Sequence, residues 1–235
     1  EISCSLVGSE MCIRDRLCSD SDYRRERTVD MGHRHPLHPA AEDEERRYRM
    51  SRKLLPLNPR QMVGLADGNS FYCSCEESMQ PWLHGKPIIV ASNNDGCAIA
   101  MNRPAKRYVR MGDALFQIAD TIREHGIVTF SSNYELYGDM SNRMHSIWAS
   151  FVPNLEIYSI DEAFLDFTGM EGFDFEKLGR EIIRTTRRGI GIPICLGIAP
   201  TKVLAKAANK LAKTDDARRG LYIIDTEEKL SLIHI

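Results

Sequence analysis

The chain has 235 residues, 43% hydrophobic and 27% charged, with a formal net charge of −2. That length holds one good core or a domain carrying an insertion, and the near-neutral balance excludes a protein that grips nucleic acid through bulk positive charge. The seven cysteines include no C-x-x-C pair, and neither a signal peptide nor an apolar run of membrane-spanning length occurs, so reduced thiols in a cytoplasmic protein are expected rather than disulfides, zinc or a membrane partner.

Taken from its start, the chain opens on segments that cannot build a core. Back-translated and read on opposite strands, "EMCIRD" (Glu10 to Asp15) and "LSLIHI" (Leu230 to Ile235) can share one DNA sequence. That DNA resembles the transposase end of a sequencing adapter, so residues 1–16 and 230–235 are expected to be adapter-derived tails, outside the fold. Residues 17–61 are rich in Arg, Glu, Asp and His without a long apolar period, which predicts a disordered or non-native leader. "HRHPLHP" (His33 to Pro39) is not read as a metal site, because its prolines break any helix that would align the imidazoles.

Folding is expected from Met62, where Val63 to Ala66 read as a short strand closed by Asp67-Gly68-Asn69. Ile88 to Ala91 read as a second strand, broken by "SNNDG", with "CAIAMN" resuming after it. The run from Ser131 to Phe151 predicts a helix, with Ser132 and Glu135 as a capping box and Tyr137, Met140, Met144 and Trp148 on a core stripe. A further helix is expected over about Phe175 to Arg187, and a strand over Ile194 to Ala199. In the last helix, "PTKVLAKAANKLAK", Lys202, Lys206 and Lys210 share one face while Val203, Leu204, Ala207 and Leu211 share another. Lys206 and Lys210 read as a solvated face, whereas Lys202 sits in the first turn, where free backbone donors and the helix dipole attract phosphates.

"YSIDEAFLDF" (Tyr158 to Phe167) places Asp161 and Glu162 side by side in an apolar, aromatic run. Neighbours in a strand point to opposite faces, and buried like charges repel, so the pair is read near a junction between a strand over Ile157 to Ile160 and another over Ala163 to Phe167, the alternative on local sequence being a hairpin turn with two solvated acids. The element order, an insertion apart, is β-α-β-β-α-β, an α+β fold of the split ferredoxin-like kind. It brings Asp67, at the end of the first strand, beside Asp161 and Glu162, and three carboxylates at one sheet edge suit hard divalent cations that neutralise their repulsion.

Five blocks, "LADGNSFYCSCE", "GKPIIVASNNDGCAIAMN", "FSSNYELYGDMSNR", "YSIDEAFLDFTG" and "GIAPTKVLAKAANK", together resemble the Y-family DNA polymerases of the UmuC type from Met62 to about Lys229. The resemblance implies a polymerase palm over 62–72 and 131–229, a small inserted fingers subdomain over 73–130, and a missing thumb and little finger. It implies error-prone, template-directed nucleotidyl transfer from dNTP to a primer 3′ hydroxyl in SOS-type damage tolerance, with two Mg²⁺ ions held by Asp67, the Gly68 carbonyl, Asp161 and Glu162. Tyr72, following Phe71, matches a steric gate beneath the sugar, and Lys106 and Lys202 match residues that hold the triphosphate. Implied partners are primer-template DNA and, for the full-length protein, a sliding clamp, a UmuD-like subunit and a recombinase filament. Pro104 departs from the pattern, standing where the family usually carries a helix-compatible residue. Two other readings are an inert palm fragment that only binds partners, and a nucleotidyl cyclase, which usually carries a Gly-Gly-Asp/Glu-Glu-Phe-like hairpin in place of "SIDEAF".

Overall fold

The computed structural model describes residues 61–93 and 96–231. The expected tail at 1–16, all but the last residue of the expected leader at 17–61, and residues 232–235 lie outside the described residues, while Leu230 and Ser231 close a short helix.

A five-stranded sheet carries the site. Its strands are β1 (Val63–Gly68), β5 (Asn154–Ile157), β6 (Glu162–Asp166), β7 (Ile194–Ala199) and β8 (Leu221–Ile223), in the order β5-β6-β1-β7-β8. The insertion between β1 and β5 forms a second sheet of β2 (Ile88–Ala91), β3 (Ala98–Met101) and β4 (Val128–Ser131), in the order β3-β2-β4. Two helices belong with it, α1 (Phe71–Met79), which leads out of β1, and α2 (Ala119–Glu124).

Helices α3 (Tyr134–Ala149) and α4 (Phe175–Ile190) are the two crossings of the larger sheet, so β1-α3-β5-β6-α4-β7 is the expected β-α-β-β-α-β order. To this the structure adds α5 (Lys202–Thr214) and β8, which pairs parallel to β7. Alternation along β1 divides the core. Ala66 faces one side with Leu165, Leu196 and the α3 residues Tyr137, Met140, Met144 and Trp148, while Leu65 faces the other with Phe164 and the α5 residues Ala205 and Ala208. Trp148 Nε1 donates to Thr186 Oγ1 at 3.1 Å, joining α3 to α4 inside that first core.

Several local expectations are corrected. The cap of α3 is Asn133, whose side chain accepts from the Leu136 N–H, and Ser132 instead donates its hydroxyl to the Ala91 carbonyl at 2.7 Å. Strand β5 ends at Ile157 rather than starting there, which leaves 158–161 as the hairpin connection. On α5 the buried positions are Ala205, Ala208, Asn209 and Ala212, and Val203 is 79% exposed. The reason is the closeness of helix and sheet: a Cβ on Gly197 of β7 would lie 2.1 Å from the Asn209 backbone nitrogen and 2.4 Å from the Ala205 carbonyl oxygen. Only alanines and the short Asn209 fit there, and Asn209 Nδ2 donates to the Leu65 and Cys195 carbonyls at 3.0 and 2.9 Å.

Gly197→Ala should therefore cost at least about 2 kcal/mol of stability, the overpacking range, because backbone rather than a movable side chain stands in the way. Urea unfolding of the two proteins checks it, and an unchanged midpoint would show that α5 can lift off the sheet freely.

Candidate active site

The register of β1 builds the site. Asp67 lies directly opposite Glu162 on β6 and opposite Cys195 on β7, so two acids face each other across neighbouring strands on the side where α5 packs. Like charges in that relation destabilise a sheet. Asp161, the last residue of the hairpin connection, is drawn to the same end by its main chain, whose carbonyl accepts from the Gly68 N–H at 2.9 Å. Ser159 shapes the turn, since its hydroxyl donates to Asp161 Oδ1 at 2.8 Å and accepts from the Glu162 N–H at 3.1 Å. Asp161 and Glu162 can thus be sequence neighbours and still serve one site.

Burial and mutual repulsion show in the acids' proton affinities. Glu162 is raised to about 7, first by burial, then by its hydrogen bond to Asp67 and by that residue's charge. Asp161 is raised by burial and by the charge of Asp67, against the lowering effect of the Ser159 bond. Asp67 itself is 5% exposed and ion-paired with Lys213. A crowded set of buried carboxylate oxygens with too little positive charge fits a hard divalent cation. Among the described residues no three such side chains converge as a finished cage; the Asp161 carboxylate accepts from Ser159, and Asp67 is paired with Lys213.

Lys213 was missed, and Lys202 is not beside the acids. Strand β7 runs from Ile194, paired with Gly68, to Ala199, paired with Val63, and α5 then turns back along the sheet. Six strand residues and thirteen helical ones both span about 20 Å, so the last turn of α5 returns to Asp67 while its first turn stays at the far end of β1. There Lys202 pairs with Glu156 at 2.5 Å and lies 5.0 Å from the centre of the Phe164 ring. The equal lengths of strand and helix were the signal available in the sequence.

The remaining expected residues divide. Phe71 is buried in the core at 3% exposure, its ring packed against Gly68. Tyr72 stacks on Tyr137 with ring centres 4.5 Å apart, and Tyr137 is itself fixed by donating to the buried Glu76 at 2.9 Å. The Tyr72 phenol is raised by burial first, and then by neighbouring Tyr134 and the charge of Asp161. Lys106 lies in a short turn, Ala105–Arg107, that starts at Pro104 with φ −61°, a value proline holds without strain. It lines a cavity of about 710 Å³ together with Asn69, Ser70 and Lys213. Lys106 and Lys213 therefore share the cationic space next to the carboxylates, and Lys202 does not.

The profile of IMS, the impB/mucB/samB family, matches residues 66–210. The chain is 49% identical to Protein UmuC of Salmonella typhimurium over 154 residues, covering 65% of this chain and 36% of that protein. It is 44% identical to Protein SamB of Salmonella typhimurium over 73% of this chain and 42% of that protein. To DNA polymerase IV of Moorella thermoacetica it is 33% identical, over 68% of this chain and 40% of the relative. Of solved structures, the post-insertion binary complex of Dbh DNA polymerase superposes with a TM-score of 0.63 at 27% identity, over 73% of this chain and 50% of that one. The chain spans about two fifths of the length of these curated relatives.

The raised Glu162 fixes a pH dependence. A carboxyl that holds its proton up to about 7 when folded, against 4.5 otherwise, favours the folded state below pH 4.5 and loses that advantage as pH rises to about 7. In metal-free buffer the wild type should lose on the order of 1 kcal/mol between these pH values, allowing for partial exposure, and Glu162→Gln should flatten the decline. Urea midpoints against pH measure it, and parallel curves for the two proteins would remove Glu162 from the repelling pair.

Proposed function

Since the chain belongs to the impB/mucB/samB family of Y-family DNA polymerases, we propose that it is the N-terminal catalytic part of an error-prone translesion DNA polymerase acting in SOS-type damage tolerance. The observation that carries this is the register pairing of Asp67 with Glu162, with Asp161 held over the same strand end, beside a cationic cavity. In this reading 62–72 and 131–229 are the palm and 73–130 the fingers. The substrates are primer-template DNA and dNTP in the cytoplasm, and the full-length protein would work with a sliding clamp, a UmuD-like subunit and a recombinase filament. A cyclase reading gains no support from a family of this kind.

Each side chain then has a task. Asp67, Asp161 and Glu162, with the Gly68 carbonyl, would hold two divalent ions. Mg²⁺ bound there would supply activation of the primer 3′ hydroxyl and stabilisation of the leaving pyrophosphate in an in-line displacement. Lys213, ion-paired with Asp67, and Lys106 both line the cavity and would hold the triphosphate there. Tyr72, backed by the stacked Tyr137, limits the space beneath the sugar.

In the full-length parent enzyme, Asp161→Ala should lower primer extension with Mg²⁺ by about a thousandfold or more while leaving the thermal midpoint close to wild type. Near-normal extension would sink the metal assignment. Tyr72→Ala should raise the use of ribonucleotides relative to deoxynucleotides on the order of tenfold, since a ring is removed from where a 2′-hydroxyl would sit. An unchanged ratio in competition assays would return Tyr72 to core packing against Tyr137.

A further inference from the structure

Arg103 and Asp216, 113 residues apart, form a two-pronged ion pair, Nη1 to Oδ1 at 2.9 Å and Nη2 to Oδ2 at 2.7 Å. Arg103 follows β3 in the inserted subdomain, and Asp216 lies in the turn after α5, so the pair joins the two sheets' units across the mouth of the 710 Å³ cavity that both residues line. The side chains are 80% and 73% exposed. Two-pronged geometry makes this a good exposed pair, but with both side chains open to solvent an anion of higher charge can reach the guanidinium and compete for it.

The placement of Arg103 is nevertheless built. Its predecessor Asn102 is 6% exposed and fully bonded: its Oδ1 accepts from the Ile88 and Ala105 N–H groups at 3.0 and 3.2 Å, and its Nδ2 donates to Glu77 and to the Lys86 carbonyl at 2.8 Å each. Its successor Pro104 restricts the backbone of Arg103 in turn. A guanidinium on a pinned backbone, ending on a solvent-exposed carboxylate and lining the same cavity as Lys106 and Lys213, meets the needs of a phosphate ligand, whose oxygens accept the same two-pronged bond with more charge. The neighbouring Asp215 is otherwise engaged, accepting from Arg218 and from the Ala217 N–H.

We propose that Arg103 is a polyphosphate-binding residue held in reserve by Asp216: an entering nucleoside triphosphate displaces the Asp216 carboxylate from the guanidinium, so Asp216 sets the affinity threshold of the cavity. The inference rests on the reading of that cavity as a nucleotide site. It makes Arg103 a third cation on the triphosphate beside Lys106 and Lys213, and makes Asp216 a competitor that acts only through Arg103.

Equilibrium binding of a fluorescent dATP analogue and of inorganic tripolyphosphate to the full 235-residue chain with Mg²⁺ tests it, with thermal midpoints confirming that each variant folds. Asp216→Asn should tighten binding about threefold, and Arg103→Gln should weaken it by about the same factor. The double variant should bind no more tightly than Arg103→Gln alone. Weakening by Asp216→Asn would mean a merely structural clasp, and tightening that persists without Arg103 would mean a general charge effect; either overturns the proposal, as does the absence of any effect. Binding that depends on Lys213 but not on this pair would overturn this inference and leave the nucleotide reading standing. No binding by the wild type would overturn both.

Discussion

Two carboxylates face each other across the paired strands β1 and β6, and much of the surrounding structure is arranged to make that tolerable. Asp67 and Glu162 stand directly opposite on the sheet, where like charges are destabilising, and with Asp67 buried and Glu162 half-buried solvent screens them poorly. The chain accepts this because opposite charge is supplied from a separate element: Lys213, on the last turn of α5, pairs with Asp67. A lysine is an incomplete answer. It offers one charge, and even with Lys206 acting on Glu162, burial and the neighbouring Asp67 leave Glu162 holding its proton. A site that holds more negative charge than its own side chains neutralise is set up to take cations from solution.

Delivering Lys213 constrains residues far from it. Helix α5 must lie close against β1 and β7 and must run the length of the strand, and both demands are met by small side chains. Gly197 leaves no Cβ between sheet and helix, and Ala205, Ala208 and Ala212 let the helix sit down on it. Asn209 fastens the contact by bonding to carbonyls of both strands. The position of Lys213 is thus decided by a glycine on a strand and a row of alanines on a helix.

The sequence made the fold readable where apolar period and strand length agree, as for Ile88 to Ala91 and Ile194 to Ala199, which form strands with those bounds. That Asp161 and Glu162 lie at a hairpin junction at the Asp67 end of the first strand was also legible, because adjacent acids in an aromatic run fit a junction better than a strand interior. What it hid were features set by tertiary distance. Val203 reads as core by periodicity yet is exposed, since the face of α5 that meets the sheet is chosen by how closely Gly197 lets it approach. Lys202 looked like the anion ligand because helix starts attract phosphate, but the return direction of α5 puts its end, not its start, beside Asp67. The cap at Asn133 rather than Ser132 was lost because Ser132 is taken by Ala91 of another strand, a partner with no local signature.

Charge in this chain is local in the same sense. Its net value of −2 gives no hint of an anion site, yet the cavity beside the acids gathers Lys106 from the insertion and Lys213 from α5, two segments joined only by folding. Placing these cations on different units has a mechanical consequence. A ligand carrying several negative charges and long enough to reach both would have an affinity set by how the insertion and the five-stranded sheet are held relative to each other. The buried Asn102 network fixes the inserted side of the cavity, and the close packing of α5 fixes the other.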